Sequence, residues 1–214
     1  MAVPGGNSIS LSGAQITATA AADTCTIDVT VTAAAAGAYF NSTGNITTTN
    51  TPPQTAPATA TLNVLRPPTI TKSFAPSSIA TGGTSTLTIV IANPGTNPIN
   101  LTGVSFTDVF PTTPGAMTLR APLTTSNTCT AGSTAGTLQD SGGGGLAAGD
   151  VGIRINPAAG ATIAPNGSCT ITANVTAAVA GNYSNTTSAV TSTNGGTGTT
   201  ANATLSIAKL GIAK

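Results

Sequence analysis

The chain has 214 residues, of which 39% are hydrophobic, 3% aromatic and 5% charged, with a net charge of +1, no histidine and no tryptophan. Ordinary globular domains carry roughly a quarter charged residues, so this surface must be built from Thr, Ser, Asn and Gly, with no field to steer nucleic acid or an anionic membrane. The wealth of Thr, Val and Ile argues for pleated strands and against disorder, and no apolar run reaches the roughly 18 residues of a membrane-spanning helix.

Taken in chain order, "MAVPGGNSIS" has neither the basic region nor the apolar run of an export signal. In "TCTIDVTVT", Cys25, Ile27, Val29 and Val31 fall on alternate positions, which predicts a strand with these residues on one face. The Ala-rich "TAAAAGAY" reads as a turn because Gly37 follows at once. The segment "LNVLRPPTITK" has no Gly/Ser spacer, and Pro67 and Pro68 restrict its backbone.

Strands are expected next at "TITKSFA", at "TSTLTIVIAN" with Leu87, Ile89 and Ile91 facing the core, and at "VSFTDVF" with Val104, Phe106, Asp108 and Phe110 on one face. "MTLRA", "VGIRI", "SCTITANVT", "NYSNTTSAVTS" and "TANATLSI" follow. Turn signals separate them: "PSSIATGG", "NPGTNP", "PTTPG", "SGGGG" and "NGGTG". Many short strands at this spacing, with no convincing helical period, indicate an all-β sandwich.

The chain says nearly the same thing twice. With Cys25 set against Cys169, an offset of 144, 15 of the 28 positions from Asp23 to Asn50 match. "ATLNV" at 60–64 then meets "ATLSI" at 203–207, and "ITK" at 70–72 meets "IAK" at 212–214. A period of this length is that of a whole domain rather than a solenoid unit. The expected division is residues 1–66 as the C-terminal part of one repeat, 67–209 as a complete repeat, and 210–214 as the first strand of the next. The chain thus reads as a window on a tandem array.

Three cysteines occur, and the complete repeat holds two of them, Cys129 and Cys169. A Cys129–Cys169 disulfide is expected, the alternative being two buried free thiols. Cys25 is the counterpart of Cys169, and its partner would lie upstream of Met1. A disulfide places the protein in an oxidising compartment, outside the cytoplasm. No metal site is expected, because histidine and C-x-x-C pairs are both absent.

Several landmarks occur in a fixed order: Lys72, Phe74 and Pro76; Gly83 and Thr84; Asn93 and Gly95; Asp108 and Pro111; Gly181, Tyr183 and Asn185. In that order they resemble the bacterial Ig-like repeats called domain of unknown function eleven, or a close relative. The resemblance implies tandem Ig-like antiparallel β-sandwiches in long, exported or surface-attached bacterial proteins, and it implies no reaction.

Lys72 shares its parity with Ile70 and Phe74, and Asp108 shares its parity with Phe106 and Phe110. Both charges therefore point to the apolar side, where a lone charge is costly. They could form a buried ion pair. They could also take part in a Lys–Asx isopeptide crosslink, as in some other surface Ig-like domains, with Asp108 as the neighbouring acid and Asn93 or Asn202 as acceptor.

General acid–base work would rest on five aspartates and two tyrosines, and no nucleophile–base pairing is visible, so an enzyme is not expected. No cofactor is expected either. The reading is a structural repeat of an extracellular stalk, adhesin shaft or filament, whose partners are neighbouring repeats in a tandem array or homopolymer. The alternative is a module that binds glycan, ice or a host protein through its Thr/Asn-rich faces or through the loop 133–149. The Gly-rich stretch at 141–150 lacks a lysine and does not open a helix, which makes it a flexible loop and not a phosphate cradle.

Overall fold

A computed structural model describes residues 5–16, 24–129 and 136–209. The chain divides into two units, Met1–Ala34 and Ala35–Lys214. The expected first strand of a following repeat, 210–214, lies outside the described residues.

The described residues of the first unit form no strand. Cys25 is an exposed free thiol, and Ile27, Val29 and Val31 are 53%, 41% and 66% exposed. The alternation that predicts a strand here is present, but a strand also needs a neighbour to satisfy its backbone. In the complete repeat the matching segment pairs on both sides with strands contributed by the front of that repeat. No such strand stands among the described residues of the first unit.

Among its described residues the second unit is all-β apart from one 3-10 turn at Pro157–Ala159. It opens with β1 (Gly37–Ser42) and β2 (Thr59–Val64). Next come β3 (Thr69–Ala75), β4 (Ser78–Ala80), β5 (Ser85–Ala92), β6 (Leu101–Val104) and β7 (Phe106–Val109). β8 (Met117–Leu119), β9 (Thr125–Asn127), β10 (Leu138–Asp140), β11 (Gly152–Ile155) and β12 (Ala161–Ile163) follow. The chain closes with β13 (Ser168–Ala177), β14 (Gly181–Thr186), β15 (Thr191–Ser192), β16 (Gly196–Thr197) and β17 (Asn202–Ala208).

One sheet runs β3–β5–β13, with β8 and β9 sharing the far edge of β13. The opposing strands are β10–β11–β7, β14–β17–β4, β12–β6 and β15–β16. Backbone bonds between Ser105 and Thr191, and from Ser188 to Thr107, stitch these groups together. Pairing is antiparallel throughout except between β4 and β17, which run parallel. The cause lies in the connection: two residues after β3 leaves the first sheet, the same chain joins the other as β4. A first strand that straddles both sheets holds the sandwich closed at that edge.

The core follows from the alternation. Leu87, Ile89 and Ile91 of β5 and Ile171 and Val175 of β13 are wholly buried. They meet Phe106, Ile153, Ile155, Tyr183 and Leu205 from the other side in one continuous cluster. At about 1.5–3 kcal/mol per buried aliphatic side chain, this cluster is the main source of stability in a domain with so few aromatics.

β1–β2 is a second copy of β14–β17. Tyr39 pairs with Leu62 as Tyr183 pairs with Leu205. The Tyr39 hydroxyl donates to the Ala35 carbonyl at 2.9 Å, and the Tyr183 hydroxyl donates to Val179 at the same distance. The sequence repeat is thus a repeat of local structure.

Candidate functional site

Lys72 occupies the centre of β3 on its inward face, between Ile70 and Phe74, opposite Ile89 of β5. Asp108 faces inward from β7, between Phe106 and Phe110. The two meet across the interior. The Lys72 Nζ donates to both carboxylate oxygens at 2.7 Å, and both side chains are 0% exposed. The ring of Phe74 lies 6.0 Å from the ammonium.

A third residue completes the cluster. Asn185 faces inward from β14, two positions beyond Tyr183, and is 1% exposed. Its Nδ2 donates to Asp108 Oδ2 at 3.2 Å. Its Oδ1 is buried without a hydrogen-bond partner. One carboxylate oxygen therefore touches both an amine and a carboxamide.

Burial works against both charges. Desolvation holds the Lys72 amine below the usual lysine range and pushes the Asp108 carboxyl above the usual carboxylate range, and the attraction between them only partly offsets this. The pair shifts toward amine and carboxylic acid.

Neither asparagine expected beside this pair is there. Asn93 is buried past the end of β5, where its Nδ2 donates to the carbonyls of Ile99 and Ile163. Asn202 lies on an exposed face and donates to Ser184 and Thr186. Asn185 stands in their place. Its parity with Tyr183 was the available signal, since alternate residues of "GNYSNT" turn inward.

Cys129 and Cys169 are joined, 40 positions apart in sequence and with their Cα atoms 4.7 Å apart. The bridge ties the start of β13 to the segment after β9. The Gly-rich loop is wrapped on an acid: the Asp140 carboxylate accepts from the backbone N–H of Gly143 and Gly144 at 2.6 and 2.9 Å. These backbone donors, that of Gly144 foremost, hold Asp140 below the usual carboxylate range.

The connector between β2 and β3 is only four residues long, 65–68, and it is bound to the sandwich that follows. Asn97, 2% exposed, accepts from the Arg66 N–H at 2.7 Å and donates to the Arg66 carbonyl at 2.9 Å. It also donates to Asn93 Oδ1 at 2.7 Å. Leu65 packs against the core and Pro68 is buried. A Cβ on Gly198 would overlap the Pro68 carbonyl oxygen, so the turn after β16 closes onto the connector only because that residue is glycine. The role of Asn97 was not read from the sequence, where "NPGTNP" signals only a turn.

A family model described as Domain of unknown function (DUF7933) matches residues 1–64 and again residues 68–207. The boundary between the matches falls on the connector. No curated protein matches the sequence. Among solved structures, the chain is similar to a cohesin module from a Clostridium perfringens ATCC13124 family 33 glycoside hydrolase, at 12% identity and TM-score 0.41, over 69% of this chain and 100% of that one. A non-cellulosomal cohesin from the archaeon Archaeoglobus fulgidus is similar at 11% identity and TM-score 0.39, over 65% and 91%. The full-length RrgB pilus protein of Streptococcus pneumoniae is similar at 12% identity and TM-score 0.37, over 74% and 30%.

Proposed function

The chain belongs to the DUF7933 family, and from that premise we propose that it is a structural repeat of an extracellular bacterial surface protein or fibre, serving reach and mechanical continuity. The observation that carries this reading is the joint. Two matches to one family model flank a connector of four residues, and one of these, Arg66, is hydrogen-bonded through Asn97 to the sandwich on its C-terminal side. A binding module on a flexible tether has no need of such a joint; a series of load-carrying units does. The proline pair restricts the same segment further.

The internal bridge supports export, since disulfides persist in oxidising compartments. The low charge weakens repulsion between neighbouring molecules and favours packing side by side or end to end. The partners in this reading are other repeats of the same protein, and no reaction is involved.

Electron microscopy of chains carrying two, four and six repeats tests it. Contour length is expected to rise by a fixed increment of about 35–45 Å per repeat, from strands of about ten residues plus a connector. Particles whose repeats adopt all relative angles would overturn the reading. Selective retention on a glycan array by such flexible particles would favour a binding module instead.

A further inference from the structure

We propose that Lys72 and Asn185 are the two ends of a self-formed isopeptide bond between the sheets, with Asp108 as the acid that drives it. The three side chains come from β3, β7 and β14, so no local turn geometry accounts for their meeting. The carboxylate that holds the amine at 2.7 Å also holds the carboxamide at 3.2 Å. The cluster is closed off by Ile70, Phe74, Phe106, Phe110 and Tyr183, all buried. Juxtaposition in a buried site converts an otherwise slow bimolecular condensation into an intramolecular one.

The buried, unpartnered Asn185 Oδ1 is the second observation. A half-turn of the carboxamide about its last torsion brings this oxygen to the Asp108 carboxyl. With Asp108 protonated, its O–H donates there, satisfies the orphan acceptor and polarises the carbonyl. Burial moves Lys72 and Asp108 toward the required states, a neutral amine and a carboxylic acid.

The balance is simple. The Lys72 Nζ lone pair attacks Asn185 Cγ, and one C–N bond forms. Asp108 gives its own proton to the carbonyl oxygen, takes one from the attacking nitrogen and passes it to the amide nitrogen of Asn185, and recovers the first when the carbonyl re-forms. The old C–N bond then breaks and ammonia leaves. No oxidant, metal or cofactor enters.

High-resolution mass spectrometry of the folded, reduced chain decides it. The expected result is a mass about 17 Da below that of the sequence, as for loss of one ammonia from a side-chain modification, with digestion yielding one branched peptide that contains Lys72 and Asn185. The full sequence mass would overturn the proposal and leave an ion pair. A loss of about 18 Da, one water, with Asp108 in the branched peptide, would also overturn it, since the aspartate would then be the acceptor. Lys72→Arg keeps the positive charge beside Asp108 without an amine able to acylate, and Asn185→Ala removes the acceptor. Both are expected at full mass, and a persistent loss of about 17 Da in either would place the bond elsewhere.

Discussion

Removing one member of the Lys72–Asp108 pair strands the other in an interior closed to bulk solvent. Both side chains are 0% exposed, and deleting one partner of such a pair costs about 3–5 kcal/mol. Asp108→Ala is therefore expected to lose at least about 3 kcal/mol in urea unfolding, and a loss within the range of a surface substitution would show that the fold does not depend on this cluster. Asp140 gives a prediction of opposite character. Its carboxyl is held below the ordinary range by the N–H groups of Gly144 and Gly143. A depressed folded value means that this contribution is present above about pH 4, the ordinary aspartate value, and is lost as pH falls through the lower folded value. Amide exchange at Gly143 and Gly144 should accelerate on that acid limb, and Asp140→Asn should remove the pH dependence while leaving β3 and β5 unaffected. At this scale the sequence was legible wherever parity alone decides. Lys72 and Asp108 turn inward as alternation requires. Asn185 follows the same alternation, but its partner depends on β7 and β14 lying side by side, which no local pattern encodes.

Strands long enough to show a period were readable, and strands defined by their neighbours were not. β5 and β13 alternate over eight and ten residues, and the expected segments match them closely. β4, β9 and β12 have three residues each and β16 has two, too few for any period. β4 lies inside "PSSIATGG", where glycine and proline signal a turn, and becomes a strand only because β17 offers it a parallel edge. Residues 25–31 fail in the opposite sense, with a clear period and no strand paired to them among the described residues. The Cys129–Cys169 bridge acts on elements too, because it fastens the start of β13 to a segment that contributes only the short β9 to the sheet. Closing a 40-residue loop limits the unfolded chain by about 4 kcal/mol in the chain-entropy account. The double variant Cys129→Ser, Cys169→Ser is expected to lose stability of that order, read as a lower denaturant midpoint. An unchanged midpoint would show that the bridge does not constrain the unfolded ensemble.

For the molecule as a whole, the proposed structural role turns on how firmly the segment before the connector is held to the sandwich after it. The connector could have been a tether, and "LRPP" alone leaves that open, because two prolines stiffen a chain without docking it. Docking comes from Asn97, whose carboxamide takes both the N–H and the carbonyl of Arg66, and from Gly198, which lets the β16 turn close on Pro68. Asn97→Ala leaves two backbone groups without protein partners, and unsatisfied groups of this kind cost about 1–3 kcal/mol each when buried. Water can reach the exposed side of Arg66, so the joint is expected to loosen while the sandwich stays folded. Two measurements separate these outcomes. Hydrogen exchange should show the Arg66 amide losing protection while the β5 and β13 amides keep theirs. Multi-repeat chains of the variant, seen by electron microscopy, should keep their contour length but spread in the angle between successive repeats. If the angle distribution is unchanged although Arg66 exchanges freely, the prolines and Leu65 alone hold the joint, and stiffness is a property of the connector and not of its docking.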